Sequence, residues 1–234
     1  MTADKQELPH CKRARTRSGN RGFLPDPRIL GVFFDTPSFL FVAFMFFWKD
    51  QSIAFIYIKA TEGSGTQDDK FSVNWENAKR SGLPAGAYHF FSFDSKGETQ
   101  AESFIKTVGT ELKGRLLPAV DVEYYGDKEK NPPKKEDVVR ELRSYLERIE
   151  KAYGVKPLVY TGADIYEKYL KGEFDEYKKW ISSLFTPLSW NYKDDWYIWQ
   201  YLNRGELQGY SGGEKYIDLN VLNKEKSLDD LIVR

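Results

Sequence analysis

Cysteine and histidine are almost missing from this chain. Cys11 is the single cysteine in 234 residues, which excludes an internal disulfide framework and a cysteine-rich zinc site. His10 and His89 are the two histidines, too few and too far apart in sequence to furnish a histidine metal site or a Ser-His-Asp triad. Excess charge is missing as well. The 35 basic residues balance 35 acidic ones, so no global field draws the protein to nucleic acid or to an anionic membrane. No Gly-x-Gly-x-x-Gly or Gly-Lys-Ser/Thr loop follows any candidate strand, which removes the main support for nucleotide binding, and nothing repeats at a solenoid period. Plentiful carboxylates and a 16% share of aromatic residues remain, so chemistry is to be sought among Asp, Glu, Tyr and Trp.

The length suits one large α/β domain. Residues 1–28 are polar and basic, with Gly and Pro interspersed and no periodicity, and read as a disordered tail ahead of a domain over 29–234. The apolar run from Ile29 to Trp48 imitates a signal anchor, although the chain shows no clear cleavable signal peptide. Gly31, Asp35 and Pro37 interrupt the run and leave only about ten unbroken apolar residues where roughly twenty are needed to span a bilayer. Buried core is therefore preferred to membrane anchoring by 29–48.

Beyond residue 50, short β-branched or aromatic runs predict strands at Ile53–Lys59, Ala85–Phe91, Leu116–Val122, Pro157–Thr161, Trp196–Leu202 and Tyr216–Leu219. Between some of them lie helical stripes. Phe71, Trp75 and Ala78 form one; Val138, Leu142, Tyr145, Leu146 and Ile149 form another, between Pro132-Pro133 and Gly154. This βαβα alternation predicts a parallel sheet with helical crossovers, as a closed barrel or an open doubly wound sheet.

Asp121 and Glu123 stand two apart at the end of an apolar strand, so both side chains share one face with Cβ atoms roughly 6–7 Å apart. Two carboxylates so close tend to divide into one protonated and one ionised group, as glycosidic cleavage requires. The same spacing also fits a solvated strand end. The other strands finish on Lys59 with Glu62, Tyr88 with His89, Tyr160 with Thr161, Trp199 with Gln200, and Asp218 with Asn220. In a parallel barrel these ends converge on one face.

Five strings, Ile58-Lys59-Ala60-Thr61-Glu62-Gly63, Gly86-Ala87-Tyr88-His89-Phe90, Leu117-Pro118-Ala119-Val120-Asp121-Val122-Glu123, Trp199-Gln200-Tyr201 and Ile217-Asp218-Leu219-Asn220, resemble glycoside hydrolase family 25, the N-acetylmuramidase lysozymes. They occur in the family's order across about residues 50 to 225. The resemblance implies a single irregular, TIM-like (β/α) barrel with parallel strands and fewer than eight helices. It implies hydrolysis of the β-1,4 bond between N-acetylmuramic acid and N-acetylglucosamine in peptidoglycan, without cofactor or metal, by a secreted or wall-associated protein whose partner is the glycan strand. Carried over by position, Glu123 is the general acid and Asp121 the residue that steers the substrate's own N-acetyl group, giving retention without an enzyme nucleophile. Asp218 completes the last strand. Glu62, Tyr88, Tyr160, Trp199, Lys59 and Gln200 take cleft positions that contact sugar. Structural roles stay open beside these: core for Tyr88 and Trp199, a carboxylate partner for Lys59, and a hydrogen-bonded buried group for His89.

The departure is N-terminal. The family's first strand carries an acid followed by a polar loop, whereas Ser38 to Trp48 is apolar here. Counting back from Glu62 without a gap puts Asp35 on the position of that acid. Two other readings remain beside the enzyme: a catalytically impaired peptidoglycan- or carbohydrate-binding protein on the same barrel, and a membrane-anchored form.

Overall fold

Isoleucines at 56 and 58 and an alanine at 60 alternate with Tyr57 and Lys59 along one long strand, and that alternation sorts the molecule into an inner and an outer side. In the computed structural model of the protein, residues 30–34, 47–48, 51–188, 195–206 and 216–234 are described. The strands are β1 (Leu30–Phe34), β2 (Phe47–Trp48), β3 (Gln51–Glu62), β4 (Thr66–Gln67), β5 (Ala85–Phe90), β6 (Ala119–Val122), β7 (Leu158–Gly162), β8 (Lys179–Ser182), β9 (Ile198–Gly205) and β10 (Ile217–Leu222). Four α-helices accompany them among the described residues: α1 (Phe71–Ser81), α2 (Gly97–Val108), α3 (Lys135–Tyr153) and the short α4 (Ala163–Ile165), which runs on into a π-helical turn at Tyr166–Leu170.

Strands β3, β5, β6, β7, β8 and β9 pair in that order, all parallel, and β1 joins β3 in parallel. The expectation of parallel strands throughout is corrected at one side, where β10 is antiparallel to both β9 and β1. Residues 206–216 alone connect β9 to β10, shorter than the dozen or more that a parallel crossover needs. The result is a curled, mostly parallel eight-strand sheet rather than a regular (β/α)8 barrel, with β1 hydrogen-bonded on both sides.

The helices cover the outer face. Phe71, Trp75 and Ala78 are buried along α1, and Val138, Leu142, Tyr145, Leu146 and Ile149 along α3, as their spacing predicts. Gly154 ends α3 in the left-handed region, φ 70°, where a side chain is disfavoured. Helix α2 lies so close to α3 that a Cβ on Gly97 would meet the carbonyl oxygen of Glu141 at 1.8 Å; glycine at 97 is what permits that approach. The inner side is filled by Tyr57, Trp180 and Tyr160. The Tyr57 and Trp180 rings are 4.9 Å apart and those of Tyr160 and Trp180 5.2 Å. Gly86, opposite Tyr57 in the ladder, leaves the space that the Tyr57 ring occupies.

One irregularity matters for the site. The β3–β5 register slips between Lys59 and Thr61, so Lys59 faces Tyr88, Thr61 faces His89 and Glu62 faces Phe90. A bulge of one residue at this point reverses the parity of the strand. Lys59 and Glu62, three apart, therefore reach the same inner face, while Thr61 turns outward to His89.

The proposed tail over 1–28 and most of the apolar run, including Asp35, lie outside the described residues. Within the run, Leu30–Phe34 is a paired strand, and among the described residues no helix is long and apolar enough to cross a membrane.

Candidate active site

Asp121 is the third residue of β6, buried to 3% exposure, between Phe90 of β5 and Tyr160 of β7 in the ladder. Its carbonyl accepts the Phe91 amide at 2.8 Å. Glu123 follows on the same side and is partly exposed. The Tyr160 hydroxyl donates to Glu123 Oε1 at 3.2 Å. Burial holds the Tyr160 phenol well above its ordinary range, and the negative charges of Glu123, Asp121 and Asp218 push it further in the same direction, against a hydrogen bond from Ser182. Such charge effects fall off with distance, so three carboxylates from β6, from the residue beyond it and from β10 converge on one buried phenol. A half-buried acid hydrogen-bonded to a phenol, beside a buried second carboxylate, has the parts for proton donation to a leaving oxygen and for stabilising positive charge that develops next to it.

Around this centre the other expected residues divide. Lys59 pairs with Glu62 at 3.1 Å and lies over the Phe90 ring, 5.1 Å from its centroid. Glu62 and Phe90 line a cavity of about 290 Å³ with Ser64, Thr66, Ser92 and Tyr125, which extends the site beyond β3 and β5. Tyr88 is on the inner face opposite Lys59 but only 1% exposed, so it packs beneath the site. Gln200 is buried on the inner face, opposite Ser182 and Asn220, and its Oε1 has no hydrogen-bond partner among the described residues.

Trp199 points the other way. Neighbours in a strand face opposite sides, and with Gln200 inward Trp199 packs outward against Trp196 and Tyr201, its Nε1 donating to the Ser183 carbonyl at 2.9 Å. Trp199 thus lies on the outer face, on the side of the sheet away from Gln200. His89 takes the bland role. It is buried on the outer face, stacked on Tyr145 at 4.9 Å, with Nδ1 2.7 Å from the Thr61 hydroxyl and Nε2 3.0 Å from Gln100 Oε1. Burial, with the charge of Lys59 adding to it, pushes its pKa down to about 4 despite the Gln100 hydrogen bond. Asp35, the expected fourth acid, lies outside the described residues; β1 ends one residue before it, with Phe34 opposite Ile58.

Sequence reasoning missed Trp180 and Tyr125. Trp180 donates Nε1 to Asn220 Oδ1 at 2.8 Å and so ties β8 to the strand that carries Asp218. Its one signal was a lone aromatic in Lys178-Lys179-Trp180-Ile181-Ser182. No group of three or more His, Cys, Asp or Glu among the described residues is arranged to hold a metal ion.

Comparison with known proteins identifies what this arrangement resembles. The family model described as glycosyl hydrolases family 25 matches residues 41–210. The uncharacterized protein YegX of Escherichia coli (strain K12) is 34% identical over 171 residues, 73% of this chain and 60% of that protein. The chain thus spans about 60% of the length of this relative. Lysozyme M1 of Streptomyces globisporus is 43% identical over a shorter stretch of 79 residues, 32% of this chain and 27% of that protein. Among solved structures, a family 25 glycosyl hydrolase from Bacillus anthracis superposes with a TM-score of 0.76 at 45% identity, covering 86% of this chain and 93% of that one.

Proposed function

Because the chain belongs to glycosyl hydrolases family 25, we propose that it is a lysozyme-type muramidase, cleaving the β-1,4 bond between N-acetylmuramic acid and N-acetylglucosamine in peptidoglycan. The observation that carries this reading is the convergence of Glu123, Asp121 and Asp218 on Tyr160. Glu123, held by the phenol, donates its proton to the glycosidic oxygen as the C1–O bond breaks. The carbonyl oxygen of the substrate's N-acetyl group closes on C1 from the opposite face, and Asp121 accepts the amide N–H and balances the positive charge of the cyclic intermediate. Water, deprotonated by Glu123, then opens that intermediate with overall retention, one of the recognised exceptions to the two-carboxylate scheme. Asp218 extends the acidic lining, and Asp35 is assigned to the site only as the acid that the family's first strand is expected to supply. Glu62, Lys59 and the orphan Oε1 of Gln200 supply polar contacts for sugar, with Tyr88 supporting them from below. The reaction as written uses side chains and substrate groups only. Its substrate places the protein at the cell wall, secreted or wall-associated, with glycan strands as its partner.

Digestion of purified peptidoglycan tests this. The expected result is new reducing ends on N-acetylmuramic acid, with the product anomer retained in an NMR time course. Glu123→Gln is expected to lower release by about 10²–10⁴-fold while the circular dichroism spectrum stays unchanged. Pull-down on insoluble peptidoglycan without release of muropeptides by the unaltered protein would replace this reading with that of a binding protein on the same fold.

A further inference from the structure

Glu123 stands one residue past the sheet, since the β6–β7 ladder ends at Val122 opposite Thr161. A proton donor must be fixed to within a fraction of an ångström to act efficiently. The two residues that follow it supply anchors outside the ladder. The Tyr124 hydroxyl donates to the Tyr169 hydroxyl at 3.2 Å, which donates to the Pro133 carbonyl at 2.9 Å. The Tyr125 ring stacks on Phe93 at 5.8 Å with 9° between planes. Its hydroxyl donates to Asp94 Oδ2 at 2.9 Å, and a phenol has one proton, so the Ser92 hydroxyl, also at 2.9 Å, donates to the phenol oxygen. Asp94 is held in turn by Lys128 Nζ at 2.5 Å.

The loop that receives Tyr125 is itself pinned from inside. Gln100, fully buried, accepts the Ser92 amide at 2.7 Å and donates to the carbonyls of Ser92 and Ser95 at 2.9 and 3.0 Å. Because its Nε2 is spent on those carbonyls, its Oε1 also takes the His89 Nε2–H, which fixes the imidazole tautomer and leaves Nδ1 to accept from Thr61. Every member of this buried network is satisfied, the condition under which such a network is rigid.

We propose that Tyr125 is a positioning residue: it locks the segment carrying Glu123 to the loop after β5, and Ser92 with the buried Gln100 behind it supplies the fixed end of that lock. The proposal rests on the reading of Glu123 as the acid. Tyr125 also lines the cavity beside Glu62, so the test separates positioning from sugar contact. Tyr125→Phe keeps the stack on Phe93 and removes both hydrogen bonds. It is expected to lower kcat on peptidoglycan by about 10- to 100-fold with KM within about twofold, and to speed amide hydrogen exchange over residues 122–126. Ser92→Ala is expected to reproduce part of both effects, and Ser92→Thr, which keeps the hydroxyl, to restore them. A raised KM with unchanged kcat would make Tyr125 a substrate contact and overturn the proposal, as would unaltered exchange in Tyr125→Phe. If the unaltered protein releases no muropeptides, the functional reading fails alone, and the exchange rates still decide whether Tyr125 holds the Glu123 segment.

Discussion

The outer and inner sides of β5 and β6 solve the same problem in opposite ways. On the outer side, His89 is buried and neutral, stacked between helices, with each ring nitrogen matched to one partner. On the inner side, one strand spacing away, Asp121, Glu123 and Asp218 gather around Tyr160 and add charge of one sign to a buried phenol. The first arrangement removes electrostatic stress and serves the fold. The second concentrates charge of one sign on one buried group, the pattern expected of a site. A buried ionisable group alone says little; the partners decide its role.

That contrast is open to measurement, and the largest effect is expected inside. Glu123→Gln should lower the rate of peptidoglycan cleavage by about 10²–10⁴-fold, the worth of a general acid, while the melting temperature moves little; near-normal turnover would remove Glu123 from the acid's role. Next comes the outer side. As the folded His89 pKa sits near 4 and the ordinary value is 6.5, the unfolded chain takes up the proton first as pH falls. Stability is therefore lost between about pH 6.5 and 4, by about 3 kcal/mol in total, and levels off below. Urea titrations across that range should show the slope in the native protein and a shallower one in His89→Gln. Asp121→Asn is expected to cost about 10²-fold in kcat through lost electrostatic stabilisation, with fold and glycan binding retained. The smallest effect belongs to Tyr160→Phe. It removes one hydrogen bond to a charged acceptor, worth about tenfold in rate. Because that bond favours ionised Glu123, its loss should move the alkaline limb of the pH–rate profile upward.

How much of this could be read from the sequence differs between the same two sides. The period-two run before Glu123 put Asp121 and Glu123 on one face, and the aromatic stripes of α1 and α3 lie where their spacing placed them. Strand direction was not legible. The alternation of residues along β10 does not fix its direction, and only the short connection from β9 turns it around. Strand β8 escaped notice because it has four residues and begins on Lys179, whose charge is buried against Asp195 at 2.7 Å. Helix α2 had a readable stripe in Ala101, Phe104 and Val108, but it opens on glycine, a poor helix former that the contact with Glu141 requires. The face of Trp199 was not legible either, because a strand-end aromatic next to Gln200 is inward or outward by one position, and the motif does not say which. The lock on Tyr125 joins residues far apart in the chain through side-chain oxygens, for which no local spacing gives a signal.

The slip between Lys59 and Thr61 gives β3 two masters. Thr61 serves the His89 network outside and Glu62 the ion pair with Lys59 inside, because the strand changes parity between Lys59 and Thr61. Sequence comparison that treats this stretch as an ordinary strand will assign the wrong face to everything after Ala60. For anyone moving the site onto another scaffold, Ala60 therefore acts as punctuation rather than content: deleting it would leave Thr61 and Glu62 facing as they do, whereas threading it into a regular ladder would exchange the audiences they address.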